Sequence, residues 1–224
     1  DQVTLEGGAQ FEINRFDDVF GTRDFKTIGL YAGATLDFRD DSVDPTEGWF
    51  GQVNLEPFYE LSYGNAAAKL TVEGRTYFGF GEDDPFVLAG RLKAGLVLGP
   101  SLAEIPPDKL FFAGGGGSVR GYEYHSIYPE QRDRLGLTPG GQGLFEVNAE
   151  ARMRFGPRWG GAVFIDGGSA FDDWEEAADL RWGAGVGMRY DLGFAPLRVD
   201  LAVPLDAREE DADYALYISL GQSF

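Results

Sequence analysis

The chain has 224 residues, of which 43% are hydrophobic, with 33 glycines, no cysteine and a formal net charge of -18. The acidic excess argues against nucleic-acid binding, which needs a basic surface to neutralise phosphates, and the lack of cysteine excludes disulfides and thiolate metal sites. No run of eighteen apolar residues occurs, which excludes a transmembrane helix, and the length fits a single domain, residues 1–224.

Apolar residues recur at every second position in about ten segments, the pattern of strands with one apolar and one polar face. The first segment places these residues on one face: Val3, Leu5, Ala9, Phe11 and Ile13. The other segments lie at about 28–38, 48–60, 67–78, 86–98, 142–155, 159–171, 180–191, 195–204 and 213–224. Each has roughly 10 to 14 residues, the length that a tilted strand needs to cross a bilayer.

A soluble sandwich or a lipocalin-like barrel shows the same alternation, but two features favour a membrane protein. Connections alternate between tight turns, at 156–158 and 192–194, and long acidic loops, at 172–179 and 205–212. Aromatic residues gather at strand ends, as membrane interfaces require: Trp49, Phe78, Phe86, Phe155, Trp159, Phe171, Tyr190, Tyr214 and Phe224. We therefore predict an all-β fold, a transmembrane antiparallel up-and-down β-barrel of about ten strands in the bacterial outer membrane.

One connection, at about 99–141, is much longer than the others, and so long an insertion in a compact barrel is normally functional. It contains four glycines followed by Ser118-Val119-Arg120-Gly121-Tyr122. No Lys-Ser/Thr pair follows, so this is not a phosphate-binding loop. The series resembles the motif in the sixth extracellular loop of the outer-membrane insertase superfamily, of BamA and TamA type, and the TamA type in particular.

Further segments carry the same resemblance in the expected order. Phe164-Ile165-Asp166-Gly167-Gly168 matches the family's Phe-x-Asp-x-Gly pattern, and Glu150 stands where the family has a lumen-facing acid. Residues 37–49 resemble a periplasmic turn of the family, and residues 218–224 resemble the terminal signal by which outer-membrane barrels are recognised for insertion. The resemblance covers nearly the whole chain.

The residues themselves predict a latch. Strand alternation points Glu150 and Asp166 inward, where both acids can receive the planar guanidinium fork of Arg120. The predicted latch residues are Arg120, Gly121, Tyr122, Glu150, Phe164, Asp166 and Gly168. Such a latch either only holds the loop or, as the resemblance implies, is also required for activity. We predict no catalytic residue, no enzyme activity, no metal and no cofactor.

Two other features have ordinary interpretations. His125, the only histidine, is expected to be a loop residue, because no Gly-x-Ser-x-Gly elbow accompanies it. The acidic loops at 172–179 and 205–212 are expected to be solvated, although they could gather divalent cations at a lipopolysaccharide surface. Their spacing matches no Ca²⁺ loop motif.

The resemblance implies a factor that helps client β-barrels or autotransporters insert into or cross the outer membrane. The last strand then forms one side of a weak seam, and its insertion-signal and gate residues are Tyr214, Leu216, Ile218, Leu220, Gly221 and Phe224. The implied partners are membrane lipid, lipopolysaccharide, client proteins, upstream POTRA domains and an inner-membrane partner. The alternative is a passive or structural barrel, a plugged pore without assembly activity.

The chain departs from the family pattern in two ways. The family barrel has sixteen strands, so the ten predicted here correspond to its C-terminal part, and POTRA domains are absent from these 224 residues. Either the chain is a piece of a larger protein or it is a small barrel that closes with fewer strands.

Overall fold

The computed structural model describes residues 2–18, 21–81, 85–99, 104–129, 140–209 and 211–224. Ten antiparallel strands form one sheet in chain order, which confirms the predicted up-and-down fold. The strands are β1 (Gln2–Asp18), β2 (Gly21–Asp37), β3 (Gly48–Glu60), β4 (Asn65–Phe80), β5 (Phe86–Leu98), β6 (Gly143–Arg154), β7 (Trp159–Phe171), β8 (Arg181–Asp191), β9 (Pro196–Pro204) and β10 (Ala215–Leu220). Two short 3₁₀ helices lie in the connections, Pro107–Lys109 and Trp174–Ala178.

The two faces of the sheet differ sharply in polarity. On β6 the outward-facing Phe145 and Met153 are 36% and 43% exposed, whereas Glu146 and Glu150 are buried on the concave face. A soluble sandwich would bury its apolar face against a second sheet. Exposed apolar and enclosed polar positions are the arrangement of a membrane barrel, so the soluble interpretation is wrong.

The ends of the strands define two rims. We call the end at which Phe224 lies the lower rim, and the end from which the long loop leaves the upper rim. Exposed aromatic side chains surround the lower rim, as predicted: Trp49, Phe78, Phe86, Phe155 and Trp159. Phe171 and Phe224 are only 3% and 6% exposed, so these two do not belong to an aromatic girdle.

Two strands are longer than their alternation predicts. β1 and β2 extend toward each other to Asp18 and Gly21, because polar pairs stabilise the end of this hairpin. Arg15 pairs with Asp24 at 2.6 Å. The predicted strand at 28–38 therefore covers only the apolar part of β2.

The predicted rule of short lower turns and long upper loops holds for the second half of the chain only. At the lower rim the turn of residues 38–47 between β2 and β3 is long, and at the upper rim residues 61–64 form a tight hairpin. Residue 210 of the acidic loop at 205–212, and 100–103 and 130–139 of the long loop, lie outside the described residues.

The first and last strands share no ladder in the described part of the chain, so the sheet is a curved, open one. A contact across its concave side still connects the long loop after β5 with β1, since Lys109 pairs with Glu12 at 2.7 Å. In the described residues no helix is both long and apolar enough to span a membrane. The assignment of residues 1–224 to one domain stays a prediction.

Candidate functional site

The long loop between β5 and β6 folds back into the concave side of the sheet. Two antiparallel bridges hold the described part of the loop, Phe111 to Gly141 and Ala113 to Ile127. Apolar side chains from the loop and from inward strand positions form one buried cluster: Val97, Ile105, Leu110, Phe111, Ala113, Val119, Tyr122, Ile127, Leu144 and Ala170. This small core fixes the depth at which the loop places Arg120.

Arg120 is 1% exposed and faces acids from three strands. Its Nε and Nη2 donate to the two carboxylate oxygens of Asp166, at 2.6 and 3.0 Å. Its Nη1 donates to Glu150 Oε2 at 2.7 Å and to Asp200 Oδ2 at 3.1 Å. The guanidinium carbon lies 3.3 Å from the ring centroid of Phe164. Arg120 therefore uses its fork on carboxylates and its flat face on an aromatic ring.

The electrostatics of the site keep Arg120 charged. Burial lowers the pKa of its guanidinium, but hydrogen bonds and charge interactions with Asp166 and Glu150 raise that pKa more, so that it lies above its ordinary value. Two further arginines flank Glu150: Arg152 donates to it at 2.8 Å and Arg189 at 3.3 Å. The charges form one network, in which each buried group has opposite charges as neighbours.

The residues that follow Arg120 connect the loop to the last strand. Gly121 has φ +104, and its N–H donates to the hydroxyl of Tyr217 on β10 at 3.1 Å. That hydroxyl donates in turn to the carbonyl of Tyr122 at 2.9 Å. The Tyr122 hydroxyl donates to the carbonyl of Trp182 at 3.2 Å. The loop is therefore hydrogen-bonded to both β8 and β10.

Gly168 completes the predicted group. A Cβ added there would lie 2.6 Å from Cγ2 of Val119, so only glycine lets the loop pack this closely on β7. The structure thus brings all seven predicted latch residues to one place: Arg120, Gly121, Tyr122, Glu150, Phe164, Asp166 and Gly168. Their role in function stays a prediction.

Sequence reasoning missed the polar members of the site outside the predicted seven: the arginines Arg152, Arg189 and Arg198, and also Asp200 and Tyr217. Asp200 is completely buried and stands between the apolar Val199 and Leu201 on β9. Tyr217 lies on the inward side of β10, between the exposed Leu216 and Ile218. A polar residue at an inward position of an apolar strand was the available signal for both.

Sequence reasoning also missed the alternating glycines of β8. A side chain on Gly183 would overlap the backbone carbonyl of Arg120, and one on Gly185 would overlap the ring of Phe164. Gly187 leaves the space that Asp200 occupies. The spacing of these glycines at every second residue, on the inward face of β8, was the signal.

The predicted gate strand at 213–224 is shorter in the structure. The outward series is confirmed for four exposed residues: Tyr214, Leu216, Ile218 and Leu220. Phe224 does not continue that series, because Gly221 has φ +81 and turns the chain inward. The ring of Phe224 is buried beside Tyr77 and Ala89. Phe224 therefore faces the lumen, and its role as an insertion-signal and gate residue stays a prediction.

His125 has aromatic neighbours. Its ring stacks between those of Phe112 and Tyr124, with centroid distances of 4.7 and 3.8 Å, and burial lowers its pKa. Within the described ranges no group of three or more His, Cys, Asp or Glu side chains is placed to hold a metal ion. The contacts of the latch are hydrogen bonds and ion pairs that hold the loop in place.

Comparisons with known proteins identify a family and a shared fold. The model of the Omp85 superfamily domain matches residues 2–224. Two relatives carry the name outer membrane protein assembly factor BamA. The one from Nitratidesulfovibrio vulgaris is 29% identical over an alignment 212 residues long, which covers 89% of this chain and 23% of that protein. The one from Neisseria meningitidis serogroup B is 26% identical over an alignment 222 residues long, which covers 83% of this chain and 27% of that protein.

The chain spans about a quarter of the length of these relatives. Among solved structures, BamA from Haemophilus ducreyi lacking POTRA domains 1-3 superposes with a TM-score of 0.71 at 16% identity. The superposition covers 90% of this chain and 43% of that one, which shows a shared fold. A particular likeness to the TamA type stays a prediction.

Proposed function

Because this chain belongs to the Omp85 superfamily, we propose that the protein containing it assembles client β-barrel proteins, or helps autotransporters cross, in the bacterial outer membrane. The sheet lies in that membrane. The printed names of two relatives describe assembly factors, and this chain corresponds to part of their length. No catalytic step and no cofactor enter the proposal.

The observation that carries the proposal is the latch of Arg120 on Asp166, Glu150 and Asp200. It places a long loop inside the sheet at the level of the last strand. The network buries three acids and four arginines, Arg120, Arg152, Arg189 and Arg198. Taking these charges out of water is costly, so stability alone does not account for the network. The network also holds the loop against β10, where Gly121 contacts Tyr217. This contact with the last strand gives the network a role beyond stability.

In this proposal the free edge of β10 is the place at which clients bind. This strand has six residues in the ladder with β9, and its other edge pairs with no strand in the described part of the chain. Such an edge presents backbone N–H and C=O groups to which a client strand can add. The gate residues Tyr214, Leu216, Ile218 and Leu220 then face lipid beside the client.

The proposed partners follow from this geometry. Lipid contacts the exposed apolar face, lipopolysaccharide surrounds the acidic upper rim, and clients pair with β10. Upstream POTRA domains and an inner-membrane partner are proposed to deliver the clients. A passive, plugged barrel is the competing function, because the loop also fills the concave side.

Depletion of the intact protein from its host separates the two functions. Assembly predicts that the folded, heat-modifiable forms of other outer-membrane barrels decline before growth stops, while their unfolded forms accumulate in the periplasm. Re-expression of the parent protein, or of Arg158→Ala at an exposed turn position, should restore them. Unchanged levels of folded barrels, with altered permeability to solutes alone, would show a passive barrel.

A further inference from the structure

The four residues after β10 occupy a pocket of their own at the lower rim. Gly221 turns the chain, and its N–H donates to the carbonyl of Pro196 at 2.9 Å. Phe224 then packs on Tyr77 and Ala89. The segment Gly221–Phe224 is therefore folded into the lumen rather than aligned with the wall.

Gln222 is held from three sides. Its backbone N–H donates to the carbonyl of Val43 at 3.1 Å, and its side-chain Nε2 donates to Asp44 Oδ1 at 2.8 Å. Its Oε1 accepts from Nε of Arg189 at 2.9 Å. A carboxamide donates to a carboxylate and accepts from a guanidinium at the same time, which neither a carboxylate nor an ammonium group does.

The turn that supplies Val43 and Asp44 is a preformed platform. Asp40 accepts hydrogen bonds from the N–H and hydroxyl of Thr46 and from the N–H of Glu47. Burial raises the pKa of Asp40, but these hydrogen bonds lower it more, so that the pKa lies below its ordinary value. The turn therefore keeps its shape independently of the segment that it contacts.

Two arginines connect this platform to the latch. Arg189 donates to Gln222, to Asp200 at 2.5 Å and to Glu150 at 3.3 Å. Arg152 donates to Glu150 and also to the backbone oxygens of Pro45 and Phe224, both at 3.2 Å. Asp200 and Glu150 are two of the three acids that bind Arg120. Each arginine thus joins an acid of the latch to the terminal segment.

We propose that the turn of residues 38–47, together with Arg152 and Arg189, is a binding site for the segment Gly221–Phe224, and that filling this site and latching Arg120 favour each other. We call this site the tail clamp. Its ligand is a peptide segment with a carboxamide side chain and, two residues later, an aromatic ring. The clamp is independent of client assembly, so its failure and the failure of the proposed function are separate results.

The coupling has a physical cause. When Arg120 leaves, Glu150 and Asp200 lose their shared cation, and Arg152 and Arg189 turn more fully toward these acids. Their hydrogen bonds to Gln222, Pro45 and Phe224 then weaken. Thermodynamic linkage requires the reverse effect as well, so release of the segment weakens the latch.

A single cysteine reports the position of the segment, because the chain has none of its own. Ser223 lies between the two clamped residues. In the intact protein in detergent, Ser223→Cys should react slowly with a bulky hydrophilic maleimide. Adding Gln222→Leu should accelerate that reaction about tenfold, because it removes both side-chain hydrogen bonds of Gln222, the one to Asp44 and the one from Arg189.

Coupling is tested with Arg120→Lys, which keeps the charge but loses the bidentate fork. It should accelerate labelling of Ser223→Cys severalfold, whereas Arg158→Ala should not. Heat-modifiable migration selects folded protein in every sample, and Ala212→Cys at the upper rim reports general reagent access. Equal labelling with and without Gln222→Leu would overturn the clamp. Unchanged labelling in Arg120→Lys would overturn the coupling.

Discussion

Replacement of Arg120 by alanine should release the long loop from the lumen while leaving the sheet in the membrane. The change removes the cation that Asp166, Glu150 and Asp200 share. Loss of one partner from a buried ion pair typically costs about 3–5 kcal/mol, because the other charge is left uncompensated. Limited proteolysis of the intact protein should then cleave within residues 104–129 faster than in the parent.

Two further variants serve as an intermediate case and as a control for this result. Arg120→Lys should show intermediate protection, because lysine supplies the charge without the planar fork. Arg158→Ala removes an exposed arginine that contacts Tyr190 at the lower rim, so its loop should stay protected. Client assembly should decline in the same order as protection. If Arg120→Ala left both protease access and assembly unchanged, the latch would be wrong.

Replacement of Gly183 by alanine should expel the same loop without removing any charge. A methyl group at Gly183 would overlap the backbone carbonyl of Arg120, and backbone cannot rotate away as a flexible side chain does. Overpacking of this kind typically costs about 1–3 kcal/mol. Proteolysis within 104–129 should therefore increase although Arg120 and all three acids are intact.

Gly74 provides the matched control for this substitution. It also lies in a strand, at a φ that any residue adopts, and a Cβ there has no atom within 4 Å. Gly74→Ala should leave the loop protected and the protein folded. If Gly183→Ala behaved like Gly74→Ala, the loop would not lie against β8 as described.

The alternation of apolar residues predicted most of the sheet, because a barrel wall exposes one face of every strand to lipid. It predicted β6 almost to the residue, since Phe145, Val147 and Met153 are apolar and every second position between them, from Glu146 to Arg152, is polar or charged. It failed at the ends of β1 and β2, where Arg15 and Asp24 pair above the apolar band. Where both faces of a strand carry polar residues, hydrophobicity does not alternate along the sequence, and the end of the strand is not predicted.

The latch was predictable because two independent signals led to the same residues. Arg120 lay in the motif, and the alternation of inward and outward side chains along each strand placed Glu150 and Asp166 on the inward side. The same alternation predicts that Asp200 faces inward. Asp200 lies in no motif, however, so nothing in the sequence indicated that it contacts Arg120. The inward turn of Phe224 depends on φ at Gly221 and on contacts with a turn nearly 180 residues away in sequence, which local pattern does not encode.

A disulfide between Val119 and Gly168 tests most directly whether the loop is seated in the lumen. The distance of 2.6 Å from Val119 Cγ2 to a Cβ built on Gly168 shows that the two positions adjoin. Cysteine at 119 has one γ atom where valine has two, so that the sulfurs of Val119→Cys and Gly168→Cys lie within reach of each other. In the intact membrane-embedded protein, mild oxidation should convert this pair to an intramolecular disulfide. Val119→Cys with Gly74→Cys, on the outward face, should stay reduced. Two free thiols in a folded Val119→Cys/Gly168→Cys protein would contradict the seated loop.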